Sequence, residues 1–365
     1  MPTAPPDTPA PRDPGGPHDL VRLLLALLVL ALFVLLPLIG AQAGAYWLPL
    51  AVTFIAIPLL DAAIGAPRSG RGAIGLPRPL AQWLSRAHLP LQGLLLWQAA
   101  HLAPSLSTSE LIVFALAVGT VTGGIGITVA HELGHRASRL DRMLARALLV
   151  TVGYGHFYVE HNRGHHARVA TAADPASAPR GMNVYHFVLR SVAGSFAHAW
   201  RLEAMRLARR GHSAWSLSNW VLTGSGLTVL LFALAGLAFG GVALALLVLQ
   251  AVCAIVLLEI VNYIEHYGLR RRLLPGGRAE PVAPQHSWNA DFAVSNWLLF
   301  NLQLHSDHHA HVERPYEALR SMPQAPQLPA GYPTMVLAAL LPPLWFALMD
   351  PRVPAESLPA VGDAG

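Results

Sequence analysis

Residues 211–258, GHSAWSLSNWVLTGSGLTVLLFALAGLAFGGVALALLVLQAVCAIVLL, run for 48 positions without one Asp, Glu or Arg. A helix crosses a bilayer with about 20 apolar residues, so this run is twice the length of one crossing. Gly240 and Gly241 interrupt it, and glycine punctuates helices, so it reads as two spans folded back on each other. The rest of the chain agrees. With 53% hydrophobic and 12% charged residues over 365 positions, it is too apolar for a soluble enzyme and belongs in a membrane.

Working towards the amino terminus, Leu111 to Ala130 and Ala87 to Ser109 are further apolar stretches. Leu23 to Gly40 and Ala41 to Leu60 are uncharged and meet at a hairpin turn over Gly40 to Gly44. That makes six transmembrane helices of an all-α membrane protein. Ala147 to Val159 and Phe292 to Leu304 are too short to span and suit helices lying at the interface. Pro333, Pro342 and Pro343 interrupt Tyr332 to Met349, which therefore reads either as a seventh span or as a re-entrant or surface-lying segment. Residues 1–19 are rich in Pro, Gly and Asp and lack the basic region and cleavage site of a secretory signal. They read as a disordered tail, with the first span retained as an anchor, residues 20–350 as one membrane domain and 351–365 as a second tail.

All 25 basic residues are Arg. They lie in loops beside apolar spans with no interleaved aromatics, so a pI near 9.8 speaks for membrane topology and against nucleic acid. With the amino terminus inside, the outer loops near 41–44, 104–110 and 239–242 carry no Arg. The single cysteine, Cys253, excludes internal disulfides and a four-cysteine iron site within the chain.

Histidine carries the chemistry. NLQLHSDHHAHVERPY (301–316) places His305, His308 and His309 at i, i+3, i+4; HELGH supplies His131 and His135; EHNRGHH supplies His161, His165 and His166; and NYIEHYG supplies His266. Nine imidazoles exceed what one metal ion can hold, which points to two metals. On the inferred topology all four stretches converge on the cytoplasmic side. Glu132, Glu160, Glu265 and Asp307 lie within two residues of these histidines, as carboxylates suited to accept the far ring N–H, with Asp174 and Asp291 as further candidates and His311 as a nearby supporting group. HELGH alone also matches the zinc-protease signature, but a zincin leaves six of the nine histidines without a role.

HELGHR (131–136), EHNRGHH (160–166) with ARVATAADPASA after it, NYIEHYGL (262–269) and HSWNADFAVSNWLLFNLQLHSDHHAH (286–311) resemble the integral-membrane alkane 1-monooxygenases, the AlkB-type non-haem di-iron hydroxylases. The resemblance extends from PLLD at 58–61 to GYP at 331–333. It implies a six-helix enzyme of the bacterial inner membrane whose two iron ions, ligated by the nine histidines on the cytoplasmic side, use O2 and two electrons to hydroxylate the terminal methyl of a medium- or long-chain n-alkane. It also implies a separate rubredoxin-like electron donor with its reductase. The chemistry suits the substrate: an unactivated methyl offers no acidic proton and no polar handle, and iron is redox-active where zinc is not. Leu304 and Arg136 stand where the family usually has Arg and Lys, and no proline follows His311; none of these departures removes a ligand. Related membrane di-iron enzymes acting on aryl-methyl or fatty-acyl chains are the nearest alternative. A metal transporter is disfavoured because its ligands would lie partway across the bilayer.

Overall fold

The computed structural model describes residues 17–66 and 77–357. Among these the chain is helical, and its extended pairings are two isolated bridges, Leu273–Ala279 and Asn289–Gln327. The first apolar stretch is not one straight helix. It comprises α1 (Pro17–Val34) and α2 (Leu36–Gln42), bent by 54°, because Pro37 in the first turn of α2 has no N–H to return to α1. α3 (Leu48–Ile64) follows the expected turn, with a wide π turn at Val52–Ala56. α4 (Arg78–Leu102) begins earlier than the 87–109 stretch and carries Arg78, Arg86 and His88 in its first half.

The middle of the chain supplies α5 (Thr108–His135), α6 (Arg139–Thr151), α7 (157–168) and α8 (Val184–Ala208). Then come α9 (Trp220–Phe239) and α10 (Gly241–His266), separated by Gly240 at φ +92° as the glycine pair requires. Among the described residues α5, α9 and α10 are long and apolar enough to cross a membrane, and the α1–α2 pair makes a fourth if it is one span. The protein is thus an all-helical membrane protein. α3 is short for a crossing, and the early arginines of α4 dilute its apolar character.

α5 is the central post, with 78% of its apolar window buried, whereas α9 buries only 11% and turns its leucines outward. α5 crosses α10 very closely. A Cβ on Gly119 would lie 2.5 Å from Cys253 Cβ, and one on Gly123 2.7 Å from Ala254 Cα. This small-xxx-small spacing lets two backbones approach, and it brings together the C-terminal ends of both helices, where His131, His135 and His266 lie.

The last third is α11 (Ala293–Leu298), α12 (His305–Ala310), α13 (Tyr332–Ala339) and α14 (Pro342–Met349). The 292–304 stretch is helical only through Leu298, after which Phe300 and Asn301 adopt φ of +51° and +57°. That left-handed turn reverses the chain and aims α12 inward, fastened where Asn301 Nδ2 donates to the Tyr316 carbonyl at 2.9 Å. Tyr332–Met349 breaks ahead of Pro342, as its prolines require. Of the two expected tails, residues 1–16 and 358–365 lie outside the described residues, as do Arg68 and Arg71; α1 already begins at Pro17, and 350–357 form two short 3-10 turns.

Candidate metal centre

Four separate segments bring all nine histidines together in two adjoining groups: His131, His135, His161, His166 and His308 in one, and His165, His266, His305 and His309 in the other. In the five-histidine group Nε2 of His131 lies 2.9 Å from that of His308, and Nε2 of His166 lies 2.9 Å from that of His161, 3.2 Å from that of His308 and 3.3 Å from that of His135. In the four-histidine group Nε2 of His305 is 3.0 Å from that of His309 and 3.2 Å from that of His266, and His165 is 3.2 Å from His309. One N–H cannot serve so many converging nitrogens. For metal–nitrogen bonds of ~2.1 Å, neighbouring ligands at right angles stand about 3.0 Å apart, so the spacing fits two ions each ringed by imidazole.

The sorting of the histidines follows from helix geometry. His131 and His135 are one α-turn apart and share a group, as do His305 and His309. His308, between the faces, joins the other group. In EHNRGHH an α-turn would put His161 and His166 on different faces. Residues His161–His165 instead form a π turn, whose i, i+5 pitch returns His166 beneath His161 and leaves His165 for the neighbouring group. On an ordinary α-helix the H-x3-HH spacing would instead have set His161 and His165 on one face. Gly164 permits the wide turn, since a Cβ there would lie 2.5 Å from Glu160 Oε1 and 2.7 Å from His198 Cε1.

The carboxylates are placed differently from the expectation. Glu132 pairs with Arg136 at 3.0 Å, Glu160 accepts from His198 Nδ1 at 3.0 Å, and Asp307 takes His311 Nδ1 at 2.8 Å, Arg314 at 2.6 Å and the Arg320 N–H at 2.9 Å. The reason is angular: successive residues on a helix do not face each other, so an acid beside a histidine in sequence reaches for another partner. His311 accordingly belongs to the Asp307 cluster that fastens the chain after α12. The supporting role falls to Asp174, whose Oδ2 lies 2.9 Å from His165 Nδ1 and also accepts from Ser177 at 2.6 Å. Asp291 instead accepts from Ser321. Glu265 alone of the four expected acids touches one of the nine rings, that of His305 at 3.2 Å, in another segment.

Burial and the neighbouring imidazoles hold His161, His308 and His309 well below the ordinary histidine pKa, so their rings are neutral and their lone pairs free. Burial also opposes charge on His165, but the facing Asp174 carboxylate overcomes it and lifts that ring to about 9. A partly open apolar cleft is lined by Phe33, Phe54, Ile57, Leu257 and Val261 among others, together with Thr128 and Leu302. Those two residues also line a smaller cavity that His131 and His308 close.

A family model described as fatty acid desaturase matches residues 107–338. Alkane 1-monooxygenase 2 of Pseudomonas aeruginosa is 44% identical over 317 residues, covering 85% of this chain and 84% of that protein. Alkane 1-monooxygenase of Ectopseudomonas oleovorans is 41% identical, covering 84% and 78%. The hydroxylase component of a xylene/toluene monooxygenase of Pseudomonas putida is 33% identical, covering 86% and 84%. With the family model spanning every histidine segment and these relatives covering most of the sequence, the chain belongs to the fatty acid desaturase family and, within it, to the alkane 1-monooxygenases.

Proposed function

We propose that the protein is a six-span monooxygenase of the bacterial inner membrane that hydroxylates the terminal methyl of medium- or long-chain n-alkanes on its cytoplasmic side. The observation that carries the reading is the pair of all-histidine groups, two of whose members, His131 and His308, line a small cavity that shares Thr128 and Leu302 with an apolar cleft. His131, His135, His161, His166 and His308 would hold one iron, and His165, His266, His305 and His309 the other. Iron supplies there, when bound, the redox chemistry that converts an alkane, O2, two electrons and two protons into an alkanol and water.

The residues around the metals do the rest. Asp174 holds the proton of His165 on Nδ1, so that a metal binding at Nε2 would displace the second proton that the ring otherwise carries at neutral pH. Phe33, Phe54, Ile57 and Val261 give an alkyl chain apolar walls and nothing to hydrogen-bond, so cleft shape alone selects the end that reaches Thr128 and Leu302. Electrons come from a separate rubredoxin-like protein docking on the Arg-rich inner face, since Cys253 cannot make a four-cysteine centre.

Membranes containing the protein, with rubredoxin and its reductase, are to be fed a mixture of n-alkanes, alkylbenzenes and fatty acids. 1-Alkanols are the expected products, with about two irons per chain. Benzylic alcohols alone would place the protein with the xylene-type relatives, and one zinc per chain without oxidation would overturn the reading. His266→Ala and His305→Ala are expected to insert normally and to lose oxidation.

A further inference from the structure

Glu265 is placed unlike any other acid near the histidines. Its Oε2 lies 3.2 Å from Nε2 of His305, the nitrogen that also faces Nε2 of His309 at 3.0 Å and Nε2 of His266 at 3.2 Å. A carboxylate that supports a histidine ligand sits behind the ring, on the far nitrogen, as Asp174 does. Glu265 instead lies on the converging side, where a ligand lies.

The carboxylate is also held in place. It is buried; its Oε1 accepts from the Tyr332 hydroxyl at 3.0 Å, and the Tyr332 N–H donates to Gln303 Oε1 at 2.7 Å. Its main-chain carbonyl accepts the Trp288 N–H at 2.9 Å. One oxygen is thus occupied by a phenol while the other lies 3.2 Å from Nε2 of His305, the nitrogen that faces His309 and His266. The acids adjoining the five-histidine group in sequence are engaged elsewhere, Glu132 with Arg136 and Glu160 with His198.

Resting on the di-iron reading above, we propose that Glu265 is a tenth protein ligand, binding the metal of the four-histidine group through Oε2. Together with Asp174 behind His165 it makes that position the more anionic of the two. Anionic ligands favour the higher oxidation state of a bound metal, so the iron ringed by His165, His266, His305 and His309 is the harder to reduce. The two irons are inequivalent before substrate or O2 arrives.

The test is Mössbauer spectroscopy with iron analysis and redox titration on ⁵⁷Fe-grown full-length protein, comparing wild type with Glu265→Gln and Tyr332→Phe. Wild type is expected to hold about two irons per chain in two resolved doublets. In Glu265→Gln one doublet is expected to shift or disappear while the other persists. Tyr332→Phe keeps the carboxylate but removes its hydrogen bond, and is expected to keep both irons, move the same doublet and change the midpoint potential of that iron alone. Two irons with unchanged doublets in Glu265→Gln would overturn the proposal. If Glu265→Gln fails to accumulate, Tyr332→Phe decides, because unchanged doublets there also overturn it. A wild-type protein without two irons would sink the di-iron reading itself.

Discussion

Asp174 shows what one well-placed side chain contributes. It is fully buried and accepts from both His165 Nδ1 and Ser177, so the imidazole is fixed in tautomer and in angle. Asp174→Asn keeps the shape but loses the charge, and such changes behind a ligand cost about 10- to 100-fold in metal affinity. A chelator-competition measurement is expected to show a loss in that range, from the four-histidine position first. Equal retention of both irons would remove Asp174 from the metal's support. This residue was legible in ATAADPASA only as one acid among several. What distinguishes it is the turn that carries the chain from Val169 back to Ser177, where Ala170 at φ +57° is tied by its N–H to the Ser177 hydroxyl at 2.8 Å.

At the level of helices, the α5–α10 crossing is set by glycines in different circumstances. A methyl on Gly123 meets the Ala254 backbone at 2.7 and 2.9 Å, whereas one on Gly124 meets only Leu257 Cδ2 at 3.9 Å. Gly123→Ala is therefore expected to destabilise the protein by about 1–3 kcal/mol and Gly124→Ala to be tolerated, as read by thermal unfolding in detergent. The join of α8 to α9 depends on Glu203, which accepts from Arg163 at 2.7 Å, from Arg206 at 2.8 Å and from the Trp220 N–H at 3.0 Å. Burial opposes its charge, but these donors outweigh it and bring its pKa down to about 2. A carboxylate depressed on folding adds stability that is fully present above its unfolded pKa and is lost as pH falls through the folded one. Glu203→Gln is accordingly expected to lower the melting temperature at pH 7, with the difference from wild type shrinking as pH drops from about 4.5 towards 2. A constant difference over that range would show that the charge of Glu203 is not what joins the helices.

For the whole molecule, the proposed orientation rests on the distribution of arginine and is open to direct test. Ser105 lies in the 103–107 turn between α4 and α5, and Ser213 between α8 and α9; both are exposed. In a Cys253→Ala background, Ser105→Cys is expected to react with a membrane-impermeant maleimide from the periplasmic side, and Ser213→Cys only after lysis. The reverse pattern would place the histidines outside and exclude a cytoplasmic electron donor. The outward leucines of α9, Leu230, Leu234 and Leu237, are the surface expected to meet lipid.

The sequence by itself determined that the protein is membrane-embedded and helical, because a charge-free run of 48 residues has no other home. It also pointed to nine histidines in four stretches, three of them with rings spaced one helical turn apart, and the fold brings these nine together. Tertiary structure decided the rest. Which histidines group together depended on a π turn at His161–His165, a local widening that the letters HNRGH do not announce. Which carboxylates serve them depended on angle around the helix: a residue adjacent in sequence points about 100° away, so Glu132 and Glu160 turned to Arg136 and His198. Glu265 reached a histidine 40 positions distant, and Asp174 reached His165, because folding and not sequence neighbourhood sets which groups meet.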